Sequence, residues 1–74
     1  MSKEEMRNVM KIQPFKPFSI HTTGGESIVV PHPDYLFFPP ESVENTTFVV
    51  YDQENRFHIL DLNQVAELRE HKST

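Results

Sequence analysis

Ile28-Val29-Val30 and Phe48-Val49-Val50-Tyr51 put apolar side chains at consecutive positions. A strand turns successive side chains to opposite faces, so these segments are apolar on both. A sheet with one wet face would alternate apolar and polar residues instead. Something must therefore cover the second face: closure into a barrel, or a second copy of the chain. The helix described below is too small to cover much.

The chain has 74 residues with which to do this. That length fits one domain over 1–74, divided into an N-terminal helix and linker (1–13), a β core (15–70) and a tail (71–74). A domain this small buries only about 60% of its unfolded surface. It has no cysteine, hence no disulfide and no thiolate metal site, which fits a reducing, cytoplasmic setting. No apolar run reaches the roughly 20 residues of a membrane-spanning helix, and the charged start Met1-Ser2-Lys3-Glu4-Glu5 is unlike a secretory signal. Without such a signal, the sequon Asn45-Thr46-Thr47 reads as accidental.

Eleven acidic residues against seven basic ones give a formal charge of −4. That field repels a phosphate backbone and disfavours RNA as a partner. Lys11 and Lys16, with Arg7, form the only basic concentration.

Ser2 to about Lys11 reads as a helix. Ser2 and Glu5 are spaced as a capping box, and Met6, Val9 and Met10 form one apolar stripe. Pro14 bars its continuation, and Phe15 and Phe18 in the stiff Pro14–Phe18 linker are anchors between helix and sheet. Strands are expected at 18–22, 27–30, 35–38, 46–51 and 56–62, with Gly24-Gly25 turning the first pair. Val65 to Glu70 fits a last strand or a helical turn equally well. Pro39 to Ser42 stops the third strand, and Val43 to Asn45 reads as loop or a turn of helix. The expected class is mainly β (α+β): a short N-terminal helix, then about five antiparallel strands in a meander, curled into a small SH3-like barrel or a curved sheet.

Little in the chain suggests chemistry. His21, His32, His58 and His71 are scattered and lack the close spacing of metal ligands, so no cofactor and no metal is expected. If Phe57 and Ile59 face the core, His58 faces out. Ser19, Ser27 and Ser42 sit in no nucleophile elbow. His32-Pro33-Asp34 matches the tripeptide of chaperone J-domains, but it lies here among strands and not between long helices. It reads as a rigid corner held by Pro31 and Pro33. The candidate interaction surface is His32, Asp34 and Tyr35 at this corner, with Lys11 and Lys16.

Pro14-Phe15-Lys16-Pro17-Phe18, Gly24-Gly25, Val30-Pro31-His32-Pro33, Val49-Val50-Tyr51-Asp52 and Ile59-Leu60-Asp61-Leu62 resemble a group of short uncharacterised bacterial proteins, a likeness that implies no activity. In fold, the helix, the strands and the closing Ile59–Val65 segment are similar to Sm-like proteins, small SH3-type barrels that assemble into rings through edge strands and bind RNA. That likeness implies a barrel and oligomerisation; Pro31 and Pro33 interrupt the strands where an Sm barrel runs unbroken. The resulting expectation is a noncatalytic module whose partner is protein, itself or another, with an Sm-like RNA-binding module as the alternative.

Overall fold

The computed structural model describes residues 1–38 and 46–71. The expectations for Pro39–Ser42 and Val43–Asn45, and for the last three tail residues, lie outside them.

Helix α1 spans Lys3–Met10. Ser2 caps it: its Oγ accepts the Glu5 backbone N–H at 3.1 Å, and the Glu5 carboxylate accepts the Ser2 N–H at 3.2 Å. Two of the orphan donors at the helix start are satisfied this way. So short a helix is marginal alone and depends on docking. Met6 is fully buried, with Val9 and Met10 packed beside it, and the Arg7 guanidinium lies 5.4 Å from the centre of the Phe38 ring.

Six strands follow: β1 (Phe18–Thr22), β2 (Ser27–Val30), β3 (Leu36–Phe37), β4 (Thr47–Tyr51), β5 (Phe57–Asp61) and β6 (Val65–Glu70). Short 3-10 turns at Pro33–Tyr35 and Leu62–Gln64 precede β3 and β6. The strands form two three-stranded antiparallel sheets, ordered β2-β1-β6 and β3-β4-β5. Of the two alternatives for the last segment, the strand is the one formed. The meander is corrected: β6 pairs with β1, Ser19 opposite Arg69 and Ile20 opposite Leu68. A shift in register between His21 and Thr22 marks the irregularity that blurred its periodicity. The pairing extends past β6, since the His71 N–H donates to the Pro17 carbonyl at 2.8 Å, so the first tail residue is tied down.

The third strand is shorter than expected. Pro33 and its neighbours make a 3-10 turn, leaving Leu36 and Phe37 to pair with Val50 and Val49. The first hairpin needs positive φ at Gly25 alone, at 90°. In the second, Asn55 takes φ 65°, a conformation asparagine tolerates better than most residues.

The inward faces of the two sheets meet in one core. Phe48, Ile20, Val30, Val50 and Leu62 are fully buried, and Phe18, Ile28, Leu36, Leu60 and Val65 complete it. Phe18 reaches this core from the linker and Phe15 packs against it with ring centres 5.9 Å apart, as the anchoring role requires.

Phe48 is the largest fully buried side chain, on the central strand of its sheet. Phe48→Ala is expected to cost about 3–5 kcal/mol. A chain of this length has roughly 4–11 kcal/mol in total. Urea titration followed by circular dichroism should show the variant largely unfolded or with its midpoint sharply lowered.

Candidate interaction surface

The two sheets differ on their outward faces. On β2-β1-β6 the outward residues are Ser27 and Val29, Ser19 and His21, Glu67 and Arg69, a mostly polar set. On β3-β4-β5 they are Phe37, then Val49 and Tyr51, then Phe57 and Ile59. Phe37 is 50% exposed, Tyr51 40%, Phe57 61% and Ile59 65%. These are adjacent: Phe37 and Ile59 flank Val49 across the ladder, and Tyr51 is opposite Phe57. The rings form a chain, with centres 5.8 Å apart from Phe37 to Tyr51 and 6.1 Å from Tyr51 to Phe57. A contiguous apolar patch of this kind marks an interaction site far more often than isolated exposed apolar residues do.

The phase of β5 sets this face. His58, Leu60 and Leu62 turn toward the core side, so Phe57 and Ile59 turn out, the reverse of the expected phase. Each set offers two apolar residues, so hydrophobicity alone leaves the phase open. The hairpin residues resolve it. Asp52 accepts the backbone N–H groups of Glu54 at 2.8 Å and Arg56 at 3.0 Å, and its other oxygen lies 2.9 Å from His58 Nε2. The bond to His58, helped by these N–H groups and the Arg56 charge, holds the carboxyl down at about 2, against an ordinary 3.8. At the far end, Asp61 accepts from the Asn63 N–H at 2.8 Å and from the Thr46 hydroxyl at 2.8 Å, and these bonds hold its pKa low as well.

The residues expected at the surface fall into separate places. His32, Asp34 and Tyr35 do come together: the His32 and Tyr35 rings are 6.1 Å apart. Asp34 and Tyr35 line a groove of about 320 Å³ with Phe37, Tyr51 and Asn55, so this corner borders the apolar face. Lys16 lines a different groove of about 310 Å³, with Val9, Ile12 and Arg69, and Lys11 caps the helix. Phe37, Tyr51, Phe57 and Ile59 are absent from the expected surface. The signal for Tyr51 is the apolar run on both faces of β4, whose second face calls for barrel closure or a second copy; Phe37, Phe57 and Ile59 lie on the strands beside it.

A serine–histidine contact was also missed. Ser19 Oγ lies 2.8 Å from His21 Nε2, two residues along the outward face of β1. Such a pair is half of a hydrolytic triad. Here the Ser19 hydroxyl is buried within the sheet and also reaches the Arg69 carbonyl at 3.5 Å. Glu67, opposite His21, is clamped by Arg69 at 2.6 and 2.9 Å. The Ser19–His21 contact lies within β1, and the Ser19 bond to the Arg69 carbonyl reaches across to β6. Among the described residues, no three His, Cys, Asp or Glu side chains gather as metal ligands, and no helix is long and apolar enough to cross a membrane. Comparison with family models, curated proteins and solved structures finds no match to this chain.

Because the Asp52 carboxyl is depressed in the folded state, its bonds stabilise the fold fully above the unfolded value near 3.8 and lose effect as pH falls toward about 2. Asp52→Asn should therefore lower the urea midpoint at pH 6, and the gap to wild type should narrow steadily between pH 4 and pH 2. A pH-independent gap would show that the charge is not what matters.

Proposed function

We propose that this domain is a noncatalytic interaction module that self-associates through the outward face of β3-β4-β5. The observation that carries the proposal is the contrast between the two sheets: one outward face is polar, the other is a joined set of Phe37, Val49, Tyr51, Phe57 and Ile59. Given side chains of about 150–250 Å² each, the four most exposed present on the order of 400 Å² of apolar surface. That matches the largest patches on soluble monomers, which are often functional. The strand order, with β1 bridging β2 and β6 and the 3-10 turn swinging the chain from one sheet to the other, also supports reading the two sheets as halves of a small SH3-like barrel.

RNA binding is the second reading. Three exposed rings on one face are a stacking platform of the kind that holds single strands. Against it stand the net charge of −4 and the pairing of Arg56, next to Phe57, with Asp52 and Glu54. A gel shift with single-stranded RNA at low salt tests it; no shift at micromolar protein rejects it.

The double variant Phe57→Ser/Ile59→Ser tests the leading reading. Both residues are exposed, so the fold should survive, while association should be lost. By size-exclusion chromatography with light scattering, the wild type should show a mass that rises with concentration and the variant a monomer at every concentration. A wild type that stays monomeric at several hundred micromolar overturns self-association.

A further inference from the structure

Resting on that reading, we infer that the partner is a second copy joined edge to edge: β5 pairs antiparallel with β5 of the other copy about a two-fold axis at His58, making one six-stranded sheet.

The backbone points there first. In the β4–β5 ladder the Asp52 N–H donates to the Arg56 carbonyl and the Leu62 N–H to the Thr46 carbonyl. Antiparallel pairs alternate, so the even-numbered residues of β5 spend their backbone groups on β4. Phe57, Ile59 and Asp61 turn theirs to the open edge. The Asp61 N–H is taken by the Gln64 side chain at 3.1 Å. The groups of Phe57 and Ile59 have no partner among the described residues. An unpaired strand edge is a template for another strand.

The other edges are less open. β3 has two residues, β2 (Ser27–Val30) shares a groove with the Asp52–Arg56 hairpin, and β6 carries Glu67, Arg69 and Glu70. From Phe57 to Leu60, β5 carries no carboxylate, lysine or arginine. Exposure on the apolar face also peaks here: Phe57 and Ile59 are its two most exposed members. The bare edge and the bare side chains coincide on one strand.

The strand is complementary to itself in one register. With the axis at His58, Phe57 meets Ile59 of the partner copy and Ile59 meets Phe57, so each apolar side chain covers the other. The Asp61 carboxylate then falls opposite Asn55, an amide able to donate to it. An axis at Ile59 would put the carboxylate opposite Phe57. An axis at Phe57 would set Ile59 against Asn55, whose φ of 65° ends the strand. Polar mismatch removes both alternatives. The partner is another copy, and not an arbitrary peptide, because the match is between β5 and its own reverse.

The chain has no cysteine, so one introduced thiol reports the register alone. With the axis at His58, Phe57 of one copy and Ile59 of the other form a hydrogen-bonded pair about 5.5 Å apart at Cα, within disulfide range. The two Ile59 positions are diagonal, roughly 7–8 Å apart, and link poorly. Under mild oxidation, an equimolar mixture of Phe57→Cys and Ile59→Cys chains should give a disulfide heterodimer and Ile59→Cys alone little; both variants keep the Asp52–His58 bond. Ile59→Pro removes an edge-facing N–H and leaves the β4 ladder intact, as proline can at an edge. It should weaken dimerisation at least about tenfold, with its circular dichroism spectrum unchanged. Light scattering on the wild type separates the outcomes. A wild-type dimer in which Ile59→Cys alone cross-links and the mixture with Phe57→Cys gives no heterodimer, or in which Ile59→Pro still dimerises, overturns edge pairing but leaves association through the apolar face standing. A monomeric wild type overturns both. Should Ile59→Pro fail to fold, the two cysteine variants decide alone.

Discussion

The Asp52 carboxylate governs the outer half of this molecule. Its position at the hairpin between β4 and β5 lets one oxygen close the turn through two backbone N–H groups while the other holds His58. Those bonds fix His58 on the core side of β5, and period-two alternation then places every residue after it. Leu60 goes in; Phe57 and Ile59 go out. A slip by one residue would bury Phe57 and Ile59 and expose Leu60 and Leu62, a trade that apolar area barely distinguishes. The decision rests on polar groups at the two ends of the strand, Asp52 at one and Asp61 at the other. A surface made of hydrophobic side chains is thus positioned by hydrogen bonds.

The parts of the fold that were legible from sequence are those with local causes. Ser2 and Glu5 announce the helix start because a capping box needs only those two residues at that spacing. Thr47 to Tyr51 is rich in β-branched and aromatic residues and forms β4. Gly25 marks a turn because few other residues accept its φ. The errors share a different origin. The pairing of β1 with β6 joins Ser19 to Arg69, a contact that no window of neighbouring residues contains. The phase of β5 depends on a balance between two equally apolar faces. Val65 to Glu70 hides its strand character because the register breaks at Thr22, which displaces Ala66 from the alternation.

For the candidate surface, the pattern is legible in the sequence and the cover is not. Apolar residues on both faces of Phe48 to Tyr51 require cover, from barrel closure or from a second copy. Phe48 and Val50 are covered; Tyr51 is not, and Val49 only in part. The corner at His32, Asp34 and Tyr35 was chosen for its rigidity, and it adjoins the apolar face through the groove that Tyr35 shares with Phe37 and Tyr51. The lysines stand out in the sequence for their charge, and they lie apart from that groove. Position relative to the sheet, which charge cannot report, separates the two groups.

The outward apolar face also has a cost that bears on its meaning. Tyr51, Phe57 and Ile59 gain little from burial within one chain, and in a domain this small every apolar side chain left in water is withheld from a limited core. The polar outward face of β2-β1-β6 shows that the same fold tolerates serine, histidine, glutamate and arginine at equivalent positions. Local strand propensity does not require the difference, since threonine would serve it on the surface. What β-branched and aromatic residues add at exposed positions is the capacity to be covered by something else. That capacity is greatest along β5, where side chains and backbone edge are open together, and the proposed self-association rests on that coincidence.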